Sequence, residues 1–334
     1  MSDIASASRS ERQRVLVAIK SQQRGLPLAA TRALQFAKSV GGEILLVSVV
    51  FDLIVARGLQ GAEALEPVSK SRLLEAQQQE LEAVAQSLRD WGATVAVRVV
   101  WGAVPYREIL RVAHEWQADL LVVGAHEPPS MLRASLTDTH RQLMLRCSCP
   151  LLLVKDSTPD RHRTIVAAID PSRAVSAAMD RDVLEAAERF AAAFDCHVRA
   201  VHAFPDPARF SFVSSVEVSP GVFYGSENVA ELHRRAVEQL ADDYHIHADH
   251  IDVRAGEPAA VIMQLIGELD VRLVVLGLSR HSLLEQVVFG SITQAVTLDS
   301  PCDVLLIPHR ASDAERVAAD GSVPRSGRVE LDKT

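Results

Sequence analysis

Aromatic side chains are scarce in this sequence, at 4% of 334 residues. A core cannot rest on them, so Val, Leu, Ile and Ala must fill it. Cysteine is nearly absent as well: there are four, Cys147, Cys149, Cys196 and Cys302. None forms a C-x-x-C pair, and the C-S-C of 147–149 lacks zinc-finger spacing, which argues against a disulfide scaffold and a zinc module. Buried, reduced thiols are expected. Positive charge is not in excess: 35 Lys and Arg against 43 Asp and Glu give a net charge of −8. A nucleic-acid partner is therefore not expected. No apolar run reaches the roughly 18 residues of a membrane span. The first residues, MSDIASASRSERQR, hold no apolar stretch of a secretory signal. A cytoplasmic protein without a membrane partner is the expectation.

The common catalytic and phosphate motifs are missing too. There is no GxxxxGK[ST] loop, no GxGxxG fingerprint and no GxSxG elbow. No pair of carboxylates stands out as an acid–base set, so no enzymatic activity is expected.

What is present is a duplication. The length suggests two domains, and 48% apolar residues suffice for a core in each. LLVVGAHE is followed by CPLLLVK in the first half, and LVVLGLSR by CDVLLIP in the second. Gly124 and Cys149 lie 25 positions apart, as do Gly277 and Cys302. VLVAIK (15–20) matches IVAAID (165–170), and VVWGAVP (99–105) matches VRAGEP (253–258). Short runs of Val, Ile and Leu alternate with longer segments in both halves. Most are continuously apolar, as in parallel strands buried on both faces. Ser71–Trp91 places Leu74, Leu81, Val84 and Leu88 at helical spacing, and Arg107–Trp116 does so with Ile109, Val112, Ala113 and Trp116.

The expected fold is α/β: two tandem flavodoxin- or Rossmann-like domains, 12–157 and 163–310. Each is a five-stranded, mostly parallel sheet of order 3-2-1-4-5 with helices on both faces. The terminal stretches 1–11 and 311–334 are polar and expected to be disordered. The fifth strands, LLLV (151–154) and VLLI (304–307), would be exposed apolar edges, and two copies in one chain can cover each other's. An internal pseudo-dimer is expected, with a further homodimer left open.

Ligands of open α/β sheets bind beyond the carboxyl ends of the strands. In the second half the first strand is followed by Asp170-Pro171-Ser172. The fourth is followed by Gly277-Leu278-Ser279-Arg280, nine residues, then Gly290-Ser291-Ile292. A helix starting at Ser291 would offer free N–H groups to a phosphate, and glycine lets a phosphate approach. Asp170 offers acceptors to a ribose hydroxyl or an adenine amino group.

These residues resemble the universal stress proteins, over roughly 12–157 and 163–310. ATP-binding members of that family carry Asp after the first strand and G-x-x-G, nine residues, then G-S or G-T after the fourth. The second half fits with one departure, Arg280 in place of the second glycine. Val201-His202-Ala203 is similar to the family's L-H-V. The two-domain layout, VVW and L-T-D-T-H-x-x-L-x-x-C resemble the bacterial E-type tandem branch. The resemblance implies ATP or AMP, with Mg, held by Asp170, Pro171, Ala203, Gly277, Arg280, Gly290, Ser291 and Ile292. It implies a non-catalytic stress-response role and pairing through the fifth strands. Arg280 suits a phosphate clasp or fills the phosphate space; both readings stand.

The first half departs further. Lys20 replaces the Asp, Glu127-Pro128-Pro129 replaces the glycine turn, and Thr137-Asp138 takes the place of Gly290-Ser291. A carboxylate there caps the helix and repels an anion, so a degenerate site is expected. His245, His247, Asp249 and His250 form a run of metal-ligand types, read as a solvated loop, and His202 as a packed histidine. The stretch Phe204–Tyr224 gathers Phe204, Phe210, Phe212, Phe223 and Tyr224 at the cleft mouth and reads as a lid, a pocket or an interface. Two other functions remain beside nucleotide binding: a nucleotide-independent interaction module or binder of an apolar molecule near Phe204–Tyr224, and a slow ATPase.

Overall fold

Twelve strands and nine helices of more than three residues make up the described chain, all but two of the strands in one sheet. The structure, a computed structural model, describes residues 12–20, 25–57, 69–125, 138–156, 158–172, 176–205, 226–278, 280–283 and 286–308. The termini, the turn with Glu127, Pro128, Pro129 and Thr137, and the aromatics Phe210, Phe212, Phe223 and Tyr224 lie outside these residues.

The first half runs β1 (Arg14–Ala18), α1 (Leu28–Val40), β2 (Glu43–Val50), α2 (Leu53–Arg57), α3 (Lys70–Asp90) and β3 (Thr94–Trp101). It ends with α4 (Pro105–Glu115), β4 (Leu120–Ala125), α5 (Asp138–Arg146) and β5 (Leu151–Lys155). The second runs β6 (Thr164–Ala168), α6 (Ala177–Phe194), β7 (His197–Phe204), α7 (Ser226–Ala241), β8 (Ile251–Ala255), α8 (Pro258–Glu268) and β9 (Val271–Leu278). A hairpin, β10 (Arg280–Leu283) and β11 (Gln286–Phe289), then precedes α9 (Ser291–Asp299) and β12 (Asp303–Pro308).

The local chemistry is repeated between halves. Pro105 and Pro258 each start a helix, where a missing N–H costs nothing. Gly41, at φ 66, ends α1 by donating its N–H to Ala37 O; Asp195, at φ 53, ends α6 by the same bond to Ala191 O. Ser69 caps α3 through its hydroxyl, which accepts from Arg72 N–H.

The strand order is β3-β2-β1-β4-β5-β12-β9-β6-β7-β8. Each half thus has the order 3-2-1-4-5, parallel throughout. The sequence gives no clear sign of the β10–β11 hairpin, whose strands precede Gly290. At the centre β5 pairs antiparallel with β12, with Leu305 opposite Leu152. Leu151, Leu152, Val304, Leu305 and Leu306 are almost wholly buried.

This seam is packed on one face by α1 against α6, where Phe36 stacks on Phe190 at 4.4 Å. It also holds a buried polar network. Arg32 Nε donates to Asp303 Oδ2 at 3.0 Å, and both side chains are inaccessible to solvent. Asp303 Oδ1 accepts from Lys155 N–H (2.9 Å) and the Thr158 hydroxyl (2.8 Å). Arg32 also pairs with Asp160 and donates to Thr158 O. Arg272 reaches Asp160 O at 2.7 Å and Gln35 at 3.0 Å. The connection between the two halves is therefore stitched into the seam through Thr158 and Asp160.

Candidate functional site

The order of neighbouring strands reverses at β6 and β9, and their carboxyl ends lie side by side: Ala168 is in register with Leu276. Asp170 therefore emerges beside Gly277. The Asp170 carboxylate is partly exposed and accepts a 2.5 Å hydrogen bond from the Ser172 hydroxyl. Pro171, next to it, is half-buried.

Gly277 sits where the chain is crowded. A Cβ there would come within 2.6 Å of Met179 Cγ, so glycine is needed for the first turn of α6 to approach β9. The Thr293 hydroxyl donates to Gly277 O at 3.4 Å, which ties the first turn of α9 to the end of β9. Gly290 is the N-cap of α9, with no side-chain cap and no acidic residue in the first turn. Nothing lies within 4 Å of the place a Gly290 Cβ would take. Ser291 is exposed and Ile292 half-buried. The first N–H groups of this turn receive no side-chain cap from position 290, and the positive end of the helix dipole lies there. Arg280 opens β10, with its backbone paired to Phe289; its side chain lies outside what is described. Ala203 is half-buried near the end of β7, in register with Arg254.

Several residues of this site have no counterpart in the sequence reading. Asp180, in the first turn of α6, is 3% exposed, and its Oδ1 accepts from Asp170 N–H at 2.9 Å. Its other oxygen has no partner among the described residues. Burial raises its pKa to about 6. The signal was available: Met179, Val183, Leu184 and Ala187 place position 180 on the apolar face of α6.

A raised carboxyl pKa favours the folded state while the proton is held, and that stability is lost as pH rises through about 6. Asp180→Asn keeps an acceptor for Asp170 N–H and cannot ionise. Its melting temperature, relative to the parent, is expected to rise between about pH 5 and about pH 8. A difference that does not vary with pH would show that Asp180 ionises freely.

His202 is buried, as a packed histidine should be. Ile169 O, which can only accept, lies 3.1 Å from its Nδ1, so the proton sits there. Its Nε2 is hydrogen-bonded to Nδ1 of His233 at 2.8 Å. His233 is stacked against the Phe204 ring at 4.7 Å, and burial lowers its pKa. Phe204 is thus closed off by a helix histidine invisible to motif reading. His202 Nδ1 also lies 3.8 Å from Asp170.

The first half differs at each point. Lys20, after β1, is exposed, and buried Ser48 stands at the register position of His202. Asp138 lies in the first turn of α5, where its charge satisfies the helix end. His140 Nε2 contacts Gly124 O at 3.0 Å, as Thr293 contacts Gly277 O. Of the histidine run, the His250 ring lies tilted against that of His197, with centroids 5.0 Å apart. Among the described residues no three His, Cys, Asp or Glu side chains converge on a metal position, and no helix is long and apolar enough to cross a membrane.

Comparison with known proteins bears on both halves. The model of the Universal stress protein family matches residues 11–155 and 161–308. Universal stress protein E of Photorhabdus laumondii is 24% identical over 306 residues, 88% of this chain and 94% of that protein. Universal stress protein E of Escherichia coli K12 is 23% identical over 301 residues, 88% of this chain and 93% of that protein. Among solved structures, a putative universal stress protein from Pseudomonas aeruginosa UCBPP-PA14 superposes with a TM-score of 0.68 at 19% identity. It covers 89% of this chain and 94% of its own, which speaks to the fold alone.

Proposed function

Because this chain belongs to the universal stress protein family, we propose that it is a non-catalytic stress-response protein of the cytoplasm whose second half binds an adenine nucleotide. The observation that carries this is the uncapped, open N-terminus of α9 at Gly290. Thr293 ties that turn to Gly277, one strand away from the Asp170 carboxylate. Such a turn accepts phosphate oxygens on its N–H groups. Asp170 takes the ribose hydroxyls or the adenine amino group, and Asp180 fixes its backbone. Pro171 and Ala203 border the base, while Ser291 and Ile292 lend their N–H groups to the phosphates. Arg280 adds a cation from the hairpin. Mg, where present, rides on the phosphates of ATP, and AMP suits the same base and ribose contacts. The first half, with Asp138 at its helix start, takes no nucleotide.

Calorimetric titration with ATP–Mg and with AMP tests this. One site per chain is expected. Asp170→Ala should weaken binding about tenfold or more, the worth of a charge-assisted hydrogen bond. No heat and no thermal stabilisation at millimolar nucleotide would end the proposal.

A second reading, an interaction module that needs no nucleotide, is favoured by one surface. Phe51, Leu53 and Ile54, at the carboxyl end of β2, are 41%, 52% and 56% exposed. It is the reading that stands if the titration is flat.

A further inference from the structure

The turn between α5 and β5 carries Cys147-Ser148-Cys149. Cys147 N–H donates to Leu143 O at 2.8 Å, and its side chain is buried beside the cluster that holds Leu143 and Met144. Cys149 is half-buried and Ser148 is exposed. The two sulfurs lie 3.5 Å apart.

The second half repeats this turn 153 positions later as Ser300-Pro301-Cys302. There the Ser300 hydroxyl lies 3.1 Å from the Cys302 sulfur. One backbone turn therefore presses two side chains together in both halves. A serine at the first position satisfies the fold, so the thiol at 147 is not required by packing. Cys302 is buried, and that burial pushes its thiol up to about 12. The first half alone has two thiols in this turn, and Cys149 is the less buried of them.

We propose that Cys147 and Cys149 form a reversible dithiol–disulfide site that exchanges with low-molecular-weight disulfides of the glutathione type. The Cys149 thiolate attacks one sulfur of the small disulfide and releases a thiolate, which takes up a proton. The Cys147 thiolate then attacks the Cys149 sulfur of the mixed disulfide and releases the second small thiol. The protein loses two thiol protons and two electrons, and the small disulfide becomes two thiols. The sulfurs must close from 3.5 Å to about 2.05 Å.

Two properties follow. The neighbouring thiol and burial hold the Cys149 pKa up, so the thiolate is scarce and exchange is slow at neutral pH, rising with pH. The cross-link closes a very short loop, which gains little from chain entropy and is readily reduced. It would bind the end of α5 to the head of β5, the strand that pairs with β12.

Trypsin supplies the assay, because cleavage after Arg146 and Lys155 isolates 147–155 with these two cysteines and no other. Full-length protein is incubated with glutathione disulfide, then denatured in the presence of an alkylating agent without reduction, and digested. The expected peptide is unalkylated and two hydrogens lighter than the dithiol. Dithiothreitol restores two alkylatable thiols. Cys147→Ser copies the Ser300 arrangement and should keep the parent's circular dichroism. It should lose the two-hydrogen shift and trap Cys149 as a glutathione mixed disulfide. The proposal is overturned if the parent peptide carries two alkyl groups, or a mixed disulfide without the hydrogen loss. A disulfide between two chains on a non-reducing gel overturns it as well.

Discussion

Asp303→Ala is expected to lower the free energy of unfolding by about 3–5 kcal/mol, the cost of breaking a buried ion pair from one side. Asp303 accepts from Arg32 Nε, Lys155 N–H and the Thr158 hydroxyl, with no solvent to replace it. Its removal leaves the Arg32 guanidinium buried with Nε unmatched, although Asp160 still faces Nη1. Urea unfolding measures the loss. Arg32→Met combined with Asp303→Leu should cost less than Asp303→Ala alone, since no charge is stranded. A single-variant loss within about 1 kcal/mol of zero would show that the pair is solvated. Because the arginine lies on α1 and the aspartate on β12, the weakening should reach both halves.

Leu152→Ala should cost about 2–5 kcal/mol, through lost transfer energy and a cavity. Leu152 is wholly buried in the centre of the sheet, opposite Leu305. It belongs to one apolar cluster that includes Phe36 of α1 and Phe190 of α6. All three tryptophans, Trp91, Trp101 and Trp116, lie in the first half. Fluorescence therefore follows that half, while far-ultraviolet circular dichroism follows both. The two traces should fall together, at one lowered midpoint. Separate transitions would mean that the halves unfold independently and the seam contributes little.

The strands were legible because buried parallel strands need apolar runs, and Val15–Ile19 and Leu273–Leu276 supply unbroken ones; their order is what the family resemblance implies, since a run of Val and Leu does not say which strand it lies beside. The helix start at Gly290-Ser291 was legible because it precedes an apolar segment at a fixed distance from Gly277. Arg32 and Asp303 were not, since they are 271 positions apart and charged residues ordinarily read as surface. His233 was hidden for a similar reason: nothing near it in sequence marks Phe204 and His202 as its neighbours. The C-S-C spacing alone supports only buried, reduced thiols; the folded turn is what brings the sulfurs to 3.5 Å. The β10–β11 hairpin was not legible, because four-residue strands carry too short a pattern to read.

The β5–β12 pairing joins two strands of one chain, with a connection of eight residues between Lys155 and Thr164 held down by Thr158 and Asp160. Formation of that junction is a first-order event. Dilution does not separate its two faces, and their local concentration is set by the connection. Nor can it be shared with another copy without pulling Thr158 and Asp160 from their partners. A symmetric pair of separate chains must hold like sites on both members. A fused pair is free to let its two members drift apart in sequence, as Asp138 and Ser291 have at equivalent helix starts.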